Sequence, residues 1–238
     1  PLEKSILKNV SFEIKEKGIY SFIGKSNSGK TAIGDLINAL VRPNSGKVIV
    51  GKFINSKHRI RRINKLRRET GYVFKNPYDM FFNSTVRKEL EFGMKYFKYR
   101  TKSVSERVKN SLKLVDLDER ILRVNPQKLT LIDAKKVALA CVLTYNPSII
   151  ILDEYTNGLS KKDITELIRL LKMLKNRYNK TIILLTKDTD FSYQVSDYVY
   201  LLNEMQIVDE GKKEILKNIE LLNSIGIEPP KIVSFIEE

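Results

Sequence analysis

"GKSNSGKT", Gly24 to Thr31, decides the reading of this chain, because it satisfies G-x-x-x-x-G-K-[ST] in its required context. The apolar strand pattern "GIYSFIG" precedes it, and a helical pattern follows from Thr31. Glycines in such a loop let backbone N–H groups wrap a phosphate, and the helix N-terminus adds positive potential. Lys30 then reaches the terminal phosphates and the Thr31 hydroxyl ligates Mg2+. The binding loop for a nucleoside triphosphate is expected to comprise Gly24, Lys25, Ser26, Asn27, Ser28, Gly29, Lys30 and Thr31.

The second half of such a site is "SIIILDE", residues 148–154, an apolar strand delivering Asp153 to the metal and Glu154 to the attacking water beside the γ-phosphate. An apolar run ending in Asp-Glu is weak alone. Paired with a phosphate loop it is strong, because parallel strands of one sheet end on the same edge. A third run, "TIILLTKDTD" at 181–190, ends at Thr186 and Lys187. Ligands of open α/β sheets sit beyond the carboxyl ends of the strands, so Lys187 is expected to face the ligand.

Working outward, "SILKNVSFEI" alternates as a strand does, and the helix from Thr31 is expected to run through "AIGDLINALV" to Arg42-Pro43. "SGKVIVGKF" reads as one strand, and "TGYVFKNP" as another ending at Pro77. Residues 78–140 hold helices only. There Ser103 with Glu106 predicts a capping box ahead of the apolar face Val104, Val108, Leu112 and Val115. Ser160 with Asp163 predicts a second box, before Ile164, Leu167, Ile168, Leu171 and Leu174 at helical spacing.

The chain has 238 residues, 42% of them hydrophobic, enough for one domain with its own core. Cys141 is the single cysteine, which excludes an internal disulfide and fits a reducing compartment. Apolar runs are far short of the roughly 20 residues of a membrane span, and "PLEKSILKN" is too charged for a signal peptide. A soluble, non-secreted protein is expected. With 43 Lys and Arg against 28 Asp and Glu, the net charge of +15 favours anionic partners, and the densest run is "KHRIRRINKLRR" at 57–68. That run lacks interleaved aromatics, which argues against single-stranded nucleic acid and for a solvated face.

The order of phosphate loop, "YVFKNP", helical insert, "PQKLTLIDAKKVALACVL", "IIILDEYTNGLS" and "IILLTKD" resembles the nucleotide-binding subunit of ABC transporters over nearly the whole chain. "YVFKNPYDMFFNSTVRKELEFG" and "ELLNSIGIEPPKI" further resemble the ATPases of energy-coupling factor importers of vitamins and transition metals. The resemblance implies an α/β fold: a P-loop NTPase core of RecA type (1–77 and 141–204), an antiparallel β region, an α-helical subdomain (78–140) and a C-terminal extension (205–238). It implies ATP with Mg2+, the metal held by Thr31 and Asp153. A second ATPase subunit, a transmembrane scaffold and a substrate-binding membrane subunit are the implied partners, with no nucleic acid, at the cytoplasmic face of the membrane.

Four places depart from the family pattern. Lys75 stands where the Q-loop glutamine is usual, and Lys187 where the switch histidine is usual. The signature leucine-serine-glycine-glycine-glutamine is replaced by Leu129, Thr130, Leu131, Ile132 and Asp133, and the D-loop aspartate by Ser160. Bulky Leu131 and Ile132 obstruct a partner's γ-phosphate where bare backbone would approach it, although Thr130 with Asp133 reads more readily as a plain N-cap of the following helix. Lysine is a cation with three donors and no acceptor, able to hold phosphate but not to act as histidine does. Lys75 aimed at Mg2+ would repel it. These residues predict slow hydrolysis at this chain's own site, with Glu154, Lys75 and Lys187 as the residues governing it and a different chain as the active partner. Three other readings stay open: a soluble ABC ATPase acting on nucleic acid or ribosomes, a small-molecule kinase, and a pseudo-ATPase needing nucleotide only for assembly.

Overall fold

The computed structural model describes residues 7–15, 17–58, 62–99 and 103–234. Three apolar runs become the parallel centre of one sheet: β1 (Ile19–Gly24), β5 (Ile149–Asp153) and β6 (Thr181–Thr186), buried almost throughout. Such continuous burial is what a parallel sheet covered on both faces requires. β4 (Thr70–Val73), β7 (Tyr198–Asn203) and β8 (Gln206–Lys212) complete six strands in the order β4-β5-β6-β1-β7-β8, with only β8 antiparallel.

Alternation along the strands divides the core. Ile19, Ile150, Ile182 and Leu184 face the helical side, while Phe22, Ile151, Ile183 and Leu185 face the other. On that second face lies α1 (Lys30–Ile37), with a separate hairpin of β2 (Lys47–Val50) and β3 (Phe53–Ser56). α2 (Ile63–Glu69) leads into β4. The helical side carries α3 (Val86–Tyr96), α4 (Val104–Leu114), α5 (Leu131–Thr144) and α6 (Lys161–Tyr178), packed through Leu90, Met94, Leu112, Leu139 and Leu171. After β6 come α7 (Thr189–Val195), α8 (Ile219–Ser224) and α9 (Lys231–Ser234). Leu222, Ile225 and Ile227 pack on Ile23, Val199 and Leu201, so the tail covers the sheet beside β1 and β7.

Several expectations at element ends are corrected. Described residues 7–14 of "SILKNVSFEI" form no strand. Phe12 inserts its ring edge-on against Phe22 at 4.9 Å, and the Glu13 carbonyl accepts from the Tyr200 hydroxyl at 2.5 Å, so the alternation records docking rather than a ladder. α1 ends at Ile37 because Asn38 turns its amide onto Thr70 (2.8 and 2.9 Å) and Ala39 adopts a left-handed φ of 55°. "SGKVIVGKF" is two strands, reversed at Gly51 and Lys52. β4 stops at Val73, and Pro77 opens a 3-10 turn capped by Asn76. The Ser103 capping box does not form, since Ser103 is itself helical (φ −102°, ψ −4°) and its side chain makes no cap bond. The Ser160–Asp163 box is complete.

The basic run at 57–68 is not simply a solvated face. Arg67 donates to the Ala39 carbonyl at 3.0 Å, and the Arg68 guanidinium lies 4.7 Å from the Tyr99 ring centroid, which also has Arg107 at 4.9 Å. Residues 59–61 of that run, and Pro1 to Ile6 of the N-terminal region, lie outside the described residues.

Candidate functional site

Because β6 lies between β1 and β5, the phosphate loop, Lys187 and Asp153 leave three neighbouring strands at one edge. Gly29 caps α1 with a left-handed φ of 98°, which a side chain would strain. A Cβ on Gly24 would fall 2.4 Å from Ser28 Oγ and 2.7 Å from the Leu202 carbonyl, so the loop closes only over bare backbone. Lys25, Ser26 and Asn27 are exposed, whereas Ser28, Gly29 and Lys30 are buried. The Lys25 ammonium rests on the tail: a Cβ on Gly226 would lie 2.0 Å from it.

Lys30 donates to the carbonyls of Gly24 (2.7 Å) and Lys25 (2.8 Å) and lies 3.4 Å from Glu154 Oε1. Burial lowers its pKa, against the upward pull of Glu154 and Asp153, and nearby Lys75 lowers it further. Asp153 Oδ2 accepts from the Thr31 hydroxyl at 2.8 Å and the Tyr72 hydroxyl at 3.3 Å, while its buried Oδ1 has no partner. Burial raises this carboxyl, and Thr31 donating to it works the other way. A buried carboxylate oxygen without a donor, beside a hydroxyl on a helix start, fits a hard divalent cation, so Thr31 and Asp153 suit Mg2+.

Glu154 is held at a left-handed φ of 44°, with its N–H donating to the Leu185 carbonyl at 2.8 Å and Oε2 buried without a partner. Ser28 Oγ is likewise buried and unpartnered, facing the inside of the loop. Lys75 and Lys187 are both exposed around this centre. Two residues that sequence reasoning missed join it. The Tyr72 hydroxyl stands between Asp153 and Asp35, and burial raises both Tyr72 and Asp35. The i,i+4 spacing of Thr31 and Asp35 on one helix was the available signal.

A family model described as ABC transporter matches residues 7–157. The chain belongs to the ABC transporter family. Over 100% of its length it is 31% identical to an energy-coupling factor transporter ATP-binding protein, EcfA2, of Clostridium perfringens, covering 84% of that protein. EcfA2 of Mycoplasma capricolum is 34% identical, over 98% of this chain and 81% of that one. Among solved structures, the cassette MJ0796 bound to ADP and Pi superposes with a TM-score of 0.81 at 29% identity, covering 87% of this chain and 90% of the other. CbiO1 of Clostridium perfringens, part of the transporter complex cbiONQ, gives 0.78 at 27%, covering 98% and 92%.

In this cassette the signature segment is an N-capped helix start: Thr130 accepts from the Asp133 N–H at 3.2 Å and donates to its carboxylate at 2.9 Å. Leu131 is 43% exposed, and a Cβ on Gly158 would lie 3.1 Å from its side chain. The side chain therefore lies over the turn that follows Glu154. Behind the signature, Lys135 is only 2% exposed and donates to the backbone of residues 155 and 157, another residue the sequence reading passed over.

The segment "NPYDMFF" splits its aromatics. Phe81 enters the core, whereas Phe82 is 65% exposed and stacks edge-on against Phe92 at 4.5 Å. They line a cavity of about 350 Å³ between β4 and the helical insert, together with Arg67, Phe74 and Tyr96. The Tyr96 hydroxyl bridges it to Asn64 on α2 at 2.9 Å. Buried Glu89 accepts from the backbone N–H groups of Phe82 and Asn83, fixing the loop that presents Phe82. Tyr78 in the same segment donates to the carbonyl of Leu129 at 2.8 Å, so "NPYDMFF" is hydrogen-bonded to the residue that opens the signature segment.

Proposed function

We propose that this chain is the ATP-binding subunit of an energy-coupling factor importer and the slower half of a dimer with an unlike ATPase. The observation that carries the reading is the assembly of Lys30, Thr31, Asp153 and Glu154 at one sheet edge, with lysines at both sensor positions beside it. Mg2+ held by Thr31 and Asp153 would supply positive charge against the phosphates. Lys30 turns from the loop carbonyls to the phosphates, and Glu154 orients water toward the γ-phosphorus.

Lys187, leaving β6 between the phosphate loop and Asp153, supplies a fixed positive charge to the γ-phosphate and no acceptor for the water. Lys75 adds a second cation on the side where a glutamine would meet the metal. Both favour retaining the triphosphate over splitting it. Leu131 and Ile132 weaken the site that this chain completes for its partner.

The groove lined by Phe82, Phe92 and Tyr96 is the docking place for a helix of the membrane scaffold. Support comes from the CbiO1 neighbour, which belongs to a multi-subunit transporter complex. Among the described residues no helix is long and apolar enough to cross a membrane, consistent with a peripheral subunit.

The test is single-site ATP turnover of wild type, Lys187→His and Lys75→Gln, alone and with the partner ATPase. Slow wild-type turnover that rises in each substitution, by roughly tenfold in Lys187→His, is expected, about 1.4 kcal/mol of barrier. Brisk turnover by a homodimer, unaffected by either change, overturns the proposal.

A further inference from the structure

Lys135 opens the second turn of α5, spaced with Ala138, Leu139 and Val142, and is 2% exposed. A lysine ammonium brings three donors and no acceptor. These meet the carbonyls of Asn157 at 2.6 Å, Tyr155 at 2.7 Å and, at longer range, Glu154 at 3.4 Å. The Tyr155 ring centroid lies 5.5 Å from the ammonium. All three carbonyls therefore belong to the turn that carries Glu154 off the end of β5.

That turn is held only in part by its own backbone bonds. Left-handed φ at Glu154 is unfavourable for a residue with a side chain, and it aims successive carbonyls away from the sheet ladder into the interior, where each needs a donor. Within the turn the Asn157 N–H reaches the Glu154 carbonyl at 3.3 Å and the Leu159 N–H the Thr156 carbonyl at 3.1 Å, while Lys135 serves carbonyls from a different element. We infer that Lys135 is a positioning residue: it clamps the Glu154–Asn157 turn to the start of α5 and so fixes the Glu154 carboxylate relative to Lys30 and Asp153. The signature segment, Leu129–Asp133, ends two residues earlier on the same helix. The start of α5 is thus hydrogen-bonded to the Glu154 turn through the Lys135 side chain. This inference rests on Glu154 serving ATP hydrolysis.

The test compares full-length wild type with Lys135→Met, which keeps the length without donors, and Lys135→Gln, which keeps two. Two readouts are taken: amide hydrogen exchange with peptides spanning 150–160, and single-turnover hydrolysis of labelled ATP with its separately measured Kd. Lys135→Met is expected to speed exchange at 154–158 while leaving β6 and α6 protected. It should slow turnover by roughly tenfold to a hundredfold, as misplacement of a reacting group by an ångström does, with the ATP Kd within about threefold. Lys135→Gln should fall between. Unchanged exchange in Lys135→Met overturns the clamp whatever the turnover. A slower rate matched by an equal loss of ATP affinity, or by loosening of β6 and α6, overturns it as well. Loosened exchange at 154–158 in a protein whose wild type hydrolyses nothing overturns the ATPase reading and leaves the clamp standing.

Discussion

Lys135 also makes a prediction about stability. Burial draws its ammonium down to about 8, against the upward pull of Glu154, whereas an unfolded lysine titrates near 10.4. Between those values the folded chain carries fewer protons than the unfolded one, so stability rises with pH through this window, by up to about 1.4 kcal/mol per unit. Below it both states hold the proton and the cost of a buried charge is fully present. Lys30 and Lys180 are also lowered by burial, but they are common to wild type and variant and cancel in the difference. Urea unfolding at pH 7.5 and 9.5 should therefore show wild type gaining about 1–2 kcal/mol on Lys135→Met. No gain would mean that the ammonium is hydrated. The residue was legible in part. A lysine inside an apolar helical run needs an interior partner, but Lys136 with Leu139, Ala140 and Leu143 has the same spacing as Lys135 with Ala138, Leu139 and Val142, so the run does not say which lysine is the buried one. That the partner is a turn following β5 depends on the packing of α5 against it, which no local pattern contains. Lys30, Thr31, Asp153 and Glu154 were legible because motif and strand together place them, while Asp35 and Tyr72 join through a contact between α1 and β4.

At the scale of elements, the long apolar strands were read correctly to their carboxyl ends, and the misread boundaries are those of α1, the β2–β3 hairpin and β4. β5 and β6 are specified by runs of isoleucine and leucine that only a doubly covered sheet accommodates. α1 stops where a tertiary bond from Asn38 to Thr70 takes over from the helix ladder, so helical periodicity in "INALV" overshot. In "SGKVIVGKF" the reversal at Gly51 was hidden because a hairpin strand of four residues is shorter than the window that periodicity needs. The groove between β4 and α3 shows what such elements can present. Phe81 and Phe82 are adjacent, and the extended backbone sends one inward and the other out. With Glu89 fixing that loop, Phe82 is a preorganised aromatic anchor. Phe82→Ala is expected to weaken association with the membrane scaffold by about 1–3 kcal/mol in a pull-down titration. Its ATP affinity should stay within about twofold, because the ring packs on Phe92 in α3 and the cavity it lines includes no residue of the phosphate loop. Equal scaffold binding by the variant would remove the groove from the interface.

At the scale of the molecule, the sheet order gathers buried polar atoms at one edge without enough partners for them. Asp153 Oδ1, Glu154 Oε2 and Ser28 Oγ are all desolvated and unpartnered, and burial raises the Asp153 carboxyl, so the fold bears a cost for the charge it keeps there. Stability is traded there for a site that a cation and a polyphosphate complete. Two effects of opposite sign follow for Asp153→Asn. Without nucleotide the variant should unfold at higher temperature, by about 1 kcal/mol, since the amide oxygen still accepts from Thr31 while the buried charge is gone. With ATP, wild type should gain about 2.7 kcal/mol at a hundredfold excess over Kd, and the part of that gain requiring Mg2+ should vanish in the variant. Thermal unfolding with ATP, with and without Mg2+, separates the two. A variant less stable than wild type in the absence of nucleotide would mean that Thr31 and Tyr72 already satisfy Asp153. The site would then be a settled part of the core, and the cation would find no carboxylate poised for it.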